Sequence, residues 1–236
     1  WGLTIPQAIL HAEKYNVDGQ LISRELDGSI NSTTYGASIK RSKRLANALT
    51  KLGVKIHDRV ATIAWNNSRH FETYFAVSGM GAILHTLNPR YSPDQLIYIL
   101  NHAEDSVLII DPTFIPLVES VQDKLDTVKT IIIASSKDAI PENNLNNPLS
   151  YEELINDELD EFDWPEMAED DAASLCYTSG TTGNPKGVLY SHRSTILHAI
   201  SISGTMGFES SSSVLPVVPM FHVNAWGVPY SALING

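Results

Sequence analysis

The chain has 236 residues, enough for one large domain or two small ones, and a chain of this length builds a hydrophobic core without covalent staples. Hydrophobic residues make up 43% and charged residues 18%, which excludes wholesale disorder, and the single cysteine, Cys176, excludes an internal disulfide or a cysteine-cluster metal site. The net charge of −11 is local: eleven acids and no Lys or Arg lie between Tyr151 and Asp171, and the rest of the chain is balanced.

The acidic stretch reads as a solvated, linker-like face. Nucleic-acid binding is disfavoured, because neutralising phosphates needs a basic stripe. The one basic cluster, Lys40-Arg41-Ser42-Lys43-Arg44, lies on an amphipathic helix whose apolar side is Ile39, Ala46, Leu49 and Leu52, and it reads as a solvated helix face. No apolar run approaches the roughly 18–20 residues of a membrane span. No charged region followed by an apolar stretch marks a secretory signal, so a cytoplasmic protein is expected.

In chain order, Leu21-Ile22-Ser23 reads as a strand, and Tyr35 to Leu52 as a helix ended by Gly53. Val60 to Ala64 is a strand. Ser68 caps a helix running to Met80. Leu84 to Leu87 is extended and Asn88-Pro89-Arg90 breaks the chain. Ser92 caps a helix with Pro93 at its first position, ending near His102. Val107 to Ile110 is a strand, Ile115 to Leu125 a helix and Thr130 to Ile133 another strand. Beyond the acidic stretch, Leu175-Cys176-Tyr177 and Gly187 to Tyr190 are strands and His192 to Ser203 is a helix. Val214 to Val218 is a strand weakened by Pro216, and Val223 to Ile234 is a helix. Strands alternating with helices predict an α/β fold with parallel-rich layered sheets. Composition divides it into an α/β part at 1–140, the acidic segment 141–171, and the start of a second α/β part at 172–236.

The run Tyr177-Thr178-Ser179-Gly180-Thr181-Thr182-Gly183-Asn184-Pro185-Lys186-Gly187 carries the chemistry. Its glycines let the backbone turn tightly and approach a ligand. Four hydroxyls and one ammonium can converge on an anion. Pro185 stands where a Walker A loop requires its second glycine, and Gly79-Met80-Gly81 lacks the third glycine of a dinucleotide fingerprint. Composition leaves a phosphate cradle and an ordinary mobile loop both open.

This run resembles the phosphate-loop signature of the adenylate-forming superfamily. Leu87-Asn88-Pro89-Arg90-Tyr91-Ser92 through Asn101-His102-Ala103-Glu104-Asp105, and Val217-Val218-Pro219-Met220-Phe221-His222-Val223-Asn224-Ala225-Trp226-Gly227, are similar to its medium- and long-chain fatty acyl-CoA synthetase branch. The resemblance implies a two-step ligase. A fatty acid carboxylate attacks the α-phosphate of ATP with Mg²⁺, giving an acyl-adenylate and pyrophosphate, and the thiol of coenzyme A then displaces AMP. It implies nucleotide binding by Thr178, Ser179, Gly180, Thr181, Thr182, Gly183 and Lys186. Thr178 would be a magnesium ligand, Lys186 and His222 would be catalytic, and His222, Val223, Asn224, Trp226 and Gly227 would form part of an acyl site. Members that activate amino acids carry an Asp after the Phe where this chain has His222, and no acid occurs from Val214 to Gly236, so a plain carboxylic acid fits better than an amino acid. On a helix, Trp226 would share a face with His222.

The family's adenine-binding segment, magnesium-holding glutamate, ribose-binding aspartate and C-terminal lid are expected beyond Gly236. The chain thus reads as an incomplete part of the large N-terminal domain of an adenylate-forming enzyme, inactive alone. Homodimers are common in that branch. Two alternatives stand beside this reading: a sibling ligase for a short or aromatic acid, and a non-catalytic short module. Asn31-Ser32-Thr33 and Asn66-Asn67-Ser68 match the glycosylation pattern by chance, Cys176 reads as a buried small hydrophobe, and His192-Arg193 as a structural helix start.

Overall fold

The computed structural model describes residues 2–178 and 184–236. Helix α1 (Ile5–Tyr15) carries Pro6 in its first turn, where a missing N–H is tolerated, and buries Ile5, Ala8, Ile9 and Ala12. Strands β1 (Gln20–Arg24) and β2 (Ile30–Thr34) form an antiparallel ribbon whose turn includes Gly28 at φ +87°. Both strands are mostly exposed, which is why β2 shows no apolar alternation. Helix α2 (Tyr35–Lys51) begins where the Thr34 side chain accepts from the Ala37 N–H.

Strand β3 (Arg59–Ile63) leads to α3 (Ser68–Gly79), and β4 (Ile83–Thr86) to α4 (Pro93–Ala103). The cap of α3 is Asn67, whose side chain accepts from His70, and not the expected Ser68. At α4, Ser92 and Gln95 form a reciprocal capping box. Strand β5 (Asp105–Ile110), helix α5 (Ile115–Glu119), strand β6 (Thr130–Ile133), the short strand β7 (Leu149–Ser150) and helix α6 (Tyr151–Asn156) follow. The helix expected to run to Leu125 stops at Glu119 and resumes only as a tight turn over Gln122–Lys124. The chain closes with β8 (Ala172–Thr178), β9 (Lys186–Ser191), α7 (His192–Met206) and α8 (Val228–Asn235).

Seven strands form one sheet in the order β7-β6-β5-β3-β4-β8-β9, parallel except for β9, which runs antiparallel to β8. Alternate residues serve opposite faces. Val60, Leu84, Val107, Ile109 and Ile132 pack with α1, α2, α3 and α8. Ala61, Ile63, Leu108, Ile110, Ile131 and Ile133 pack with α4 and α5. A sheet covered on both faces explains strands that read as continuous apolar runs. The 1–140, 141–171 and 172–236 parts are divisions of sequence texture; β8 and β9, from the last, extend the sheet built by the first.

The acidic segment is largely solvated and the basic helix partly so, as their composition suggests, but they also pair with each other. Lys40 pairs with Asp160 at 3.4 Å and Lys51 with Glu158 at 2.8 Å, while Asn47 donates to the carbonyls of Leu159 and Glu161. Arg41 bridges Glu72 at 2.8 Å and Glu152 at 3.0 Å, and Arg69 joins Glu152 to Glu25. Trp164 presses onto Gly79 so closely that a Cβ there would stand 2.7 Å from its ring. The segment is a strap docked by charge along α2 and by aromatics at α3.

Candidate active site

Strands β8 and β9 bracket the glycine- and hydroxyl-rich run. Thr178 faces Lys186 across the hairpin, and both are exposed at its mouth. Ser179, Gly180, Thr181, Thr182 and Gly183 lie outside the described residues. The root of the run is firmly held. Tyr91 donates its hydroxyl to the Tyr177 carbonyl at 2.9 Å, and the Tyr177 hydroxyl lies 2.6 Å from His102 Nδ1. Burial, and then the nearby Asp105 charge, push the Tyr177 phenol up to about 12, so it is a neutral donor at physiological pH. Beneath it, His85 Nδ1 and Asp105 Oδ2 lie 2.7 Å apart and fully buried, with the His85 ring against Tyr177.

The second cluster follows residue 218. The expected strand at Val214–Val218 is irregular chain. Asn66 Nδ2 donates to the carbonyls of Pro216 at 3.0 Å and Val218 at 3.4 Å, and Asn66 Oδ1 accepts from Met220 N–H at 2.6 Å. The buried Tyr74 hydroxyl donates to the Met220 carbonyl. His222 follows, with an exposed side chain. The expected helix from Val223 is a left-handed turn: Val223, Asn224, Ala225 and Trp226 have φ of +47° to +54°, and Gly227 has +73°. Right-handed α8 begins only at Val228. Trp226 therefore does not share a helical face with His222; it is 60% exposed, and His198 Nε2 meets its carbonyl at 3.1 Å.

Left-handed backbone at non-glycine residues costs roughly 1–2 kcal/mol each. It persists only where surroundings over-determine it, and such strain collects at functional sites. Here the restraint is visible. Asn224, a residue type that tolerates this region, buries its amide, donates to Ser174 Oγ at 2.7 Å, and accepts from the Cys176 thiol at 3.6 Å. Ser174, Cys176 and Thr178 alternate along β8 and so share one face. The His222 turn is thereby pinned to the strand that ends in Thr178. Asn224, expected at the acyl site, is spent on this pin.

His192 and Arg193 take the expected structural role. His192 Nδ1 accepts from the Ile5 N–H, burial lowers its pKa to about 4, and Arg193 pairs with Glu169. Cys176 is buried, and burial raises its thiol pKa. Among the described residues, no group of three His, Cys, Asp or Glu side chains could hold a metal. Thr178 offers one hydroxyl, so a magnesium ion at this mouth needs phosphate oxygens and a carboxylate from elsewhere. No helix among the described residues is long and apolar enough to cross a membrane. The residues that sequence reading missed, Asn66, Tyr74, Tyr91 and His102, are all distant in the chain from what they hold.

Comparison with known proteins places this geometry. The chain is 44% identical, over 99% of its length, to a medium-chain-fatty-acid–CoA ligase of Ectopseudomonas oleovorans. It is 48% identical, over 92%, to a long-chain-fatty-acid–CoA ligase of Thermus thermophilus, and 46% identical, over 99%, to a 3-methylmercaptopropionyl-CoA ligase of Ruegeria lacuscaerulensis. It spans 39–44% of the length of these relatives. Among solved structures, the inhibitor-bound N-terminal domain of FACL13 from Mycobacterium tuberculosis superimposes with a TM-score of 0.80 at 25% identity, covering 99% of this chain and 55% of that one. A long-chain-fatty-acid-CoA ligase from Archaeoglobus fulgidus superimposes at 0.82, 20% identity, covering 99% and 45%. The expected fold, a mostly parallel layered sheet from the N-terminal domain of an adenylate-forming ligase, is thus borne out. The AMP-binding enzyme family matches residues 11–236, and the chain belongs to that family.

Proposed function

We propose that this chain is the phosphate-loop-bearing part of an AMP-forming acid–CoA ligase, and that its acid is a medium- or long-chain fatty acid. The observation that supports the reading is the pinning of the His222 turn, a stretch without acidic side chains, to the strand ending in Thr178.

In this reading the carboxylate oxygen attacks the α-phosphorus, the bond to the bridging oxygen breaks, and pyrophosphate leaves with the electron pair. The Lys186 ammonium and the Thr178 hydroxyl, with the hydroxyls and backbone N–H groups of 179–183, spread the charge of the departing group. Such electrostatic positioning is commonly the largest catalytic contribution. Mg²⁺, when bound, shields the phosphate oxygens. His222 orients the acid carboxylate next to the α-phosphate, while Val223, Trp226 and Gly227 border the acyl group. Coenzyme A supplies the thiol that displaces AMP in the second half-reaction.

A mostly apolar cavity of about 600 Å³ supports the choice of acid. It lies between the β1–β2 ribbon, the 208–216 segment and α8, with Leu21, Tyr35, Phe71, Leu215, Met220 and Pro229 among its walls. Met220, two residues before His222, and Val228, just after Gly227, line it, and in this reading the alkyl tail enters it from the carboxylate site. The test is acid-dependent ATP–pyrophosphate exchange on the full-length protein, from hexanoate to palmitate, with Met220→Trp to fill the cavity. Met220→Trp should move the preference to shorter acids. A second reading, a short sulfur-containing acid, is favoured by the 46% identity to the 3-methylmercaptopropionyl-CoA ligase. Exchange faster with 3-methylmercaptopropionate than with decanoate or palmitate would select it. Exchange with no acid would sink both readings.

A further inference from the structure

Asn66 sits just beyond β3, half-buried, and its side chain behaves as a missing peptide group. It donates to the Val218 carbonyl and accepts from the Met220 N–H, the two bonds a neighbouring strand would make with alternate residues, and adds a third to Pro216. The 214–222 segment is neither helix nor strand. Its other tethers among the described residues include the Tyr74 hydroxyl on Met220, local turns from Pro219 to His222 and from His222 to Ala225, and an edge contact between the Trp65 and Phe221 rings. Asn66 is itself fixed from behind. At the end of β5, the Asp111 carboxylate accepts from the Trp65 N–H at 2.7 Å and from Asn67 Nδ2 at 3.1 Å, and Asn67 caps α3. Hydrogen bonds at Trp65 and Asn67, joined to Asn66 through the backbone, thus connect the end of β5 to the residue two positions before His222.

We propose that Asn66 is a positioning residue for the acid: from the wall of the cavity assigned above to the alkyl tail, it sets where His222 stands through its bonds to Val218 and Met220. Asn224 fixes the turn after His222 and Asn66 fixes the segment before it, so the histidine is held from both sides. The proposal rests on the adenylating reading given above. It assigns a role to an asparagine whose local sequence shows only a chance glycosylation pattern. The three bonds it makes use both amide hydrogens and one of its two acceptor lone pairs, and they bridge 150–154 positions of sequence.

The experiment has two arms, with Asn66→Ala and Asn66→Asp. Asp keeps an acceptor for Met220 N–H but cannot donate to Pro216 and Val218. In the chain itself, amide exchange is followed at Met220, with Ile63 and Ile110 in the sheet as internal controls. Asn66→Ala should speed exchange at Met220 on the order of tenfold, Asn66→Asp less, with the sheet amides unchanged. In the full-length protein, ATP–pyrophosphate exchange should show a KM for the acid raised on the order of tenfold in Asn66→Ala and partly restored in Asn66→Asp, with the KM for ATP unchanged. Misplacement of a reacting group by about 1 Å can cost about 100-fold in rate, which bounds the fall in kcat. Unchanged Met220 exchange overturns the tether. Faster Met220 exchange with unaltered acid kinetics overturns the positioning role. Equal effects on acid and ATP overturn it in favour of general loosening. A parent protein that exchanges with no acid defeats the adenylating reading and this proposal with it, and the Met220 arm shows whether the tether survives that loss.

Discussion

Removing Arg41 isolates a buried charge, the Glu72 carboxylate. Glu72 is 2% exposed and has three polar contacts: Arg41 Nε at 2.8 Å and the Tyr151 hydroxyl at 2.8 Å on its carboxylate, and Ser42 Oγ on its backbone carbonyl. Burial raises the Glu72 pKa above its ordinary 4.5, and Arg41 is the principal group pulling it back. In Arg41→Met the carboxyl keeps its burial and loses its counter-charge, so its folded-state pKa climbs further. A carboxyl whose folded pKa is raised contributes stability below the unfolded value, near 4.5, and loses it as pH rises through the folded value. The deficit of the variant must therefore grow with pH. At pH 8 it should reach about 3–5 kcal/mol, the usual cost of breaking a buried ion pair by removing one partner. For a chain of this size that lowers Tm by roughly 10 °C. At pH 5 the variant folds with Glu72 protonated and loses only packing and hydrogen bonds, about 1–2 kcal/mol. Urea unfolding at both pH values measures the difference. In a Glu72→Gln background the same substitution should cost less than about 1 kcal/mol at either pH, because the buried carboxylate is gone and the part-exposed Glu152 keeps Arg69 as its partner. Equal deficits at pH 5 and pH 8, or a larger one at pH 5, would refute the reasoning.

Further expectations follow from other residues. Lys186→Met should lower ATP–pyrophosphate exchange of the full-length protein about 10²–10³-fold, with stability unchanged within about 0.5 kcal/mol because the side chain is exposed; undiminished exchange would remove Lys186 from the phosphate site. Burial lifts the Asp111 carboxyl to about 6, so the parent loses stability as pH rises from about 4 to about 6, and Asp111→Asn should gain on it by up to about 3 kcal/mol over that window. A difference in urea midpoints that is flat with pH would contradict this. Gly227→Ala places a Cβ 2.9 Å from His198 Cδ2 at a φ of +73° and should cost about 1–3 kcal/mol; a neutral result in thermal unfolding would deny that the left-handed turn is over-determined.

Much of the architecture was legible in the chain because it is local. The parallel core announces itself as Val60–Ile63, Val107–Ile110 and Thr130–Ile133, apolar runs that only a sheet covered on both faces can bury. Ser92-Pro93 marks α4 through capping chemistry, and the eleven-residue run from Tyr177 marks the break between β8 and β9 through its glycines. What was illegible is held by partners far away. The left-handed turn at Val223–Trp226 runs against the local preference of valine, alanine and tryptophan and exists because Asn224 reaches Ser174 and Cys176. The acidic strap reads only as a solvated face until α2 is placed beside it. Asn66 looks like one of two loop asparagines until Met220 arrives from 154 positions away.

The sheet order has a consequence for how the chain is made. All four residues of β4 are buried, and one whole side of that burial is supplied by β8. Roughly 90 residues separate the two strands, so a ribosome working at about 5–20 residues per second leaves the β4 edge without its neighbour for about 5–18 s. During that interval Ile83 and Leu84 stand at the rim of a half-built sheet, open to any extended apolar segment nearby. The strap of 141–171 emerges within the same window and carries the acids that pair with Lys40, Arg41 and Lys51 of α2. Slowing translation just ahead of Ala172 should therefore raise the demand for holding chaperones, and synonymous recoding there would show it as a loss of soluble yield with no change in the protein's sequence.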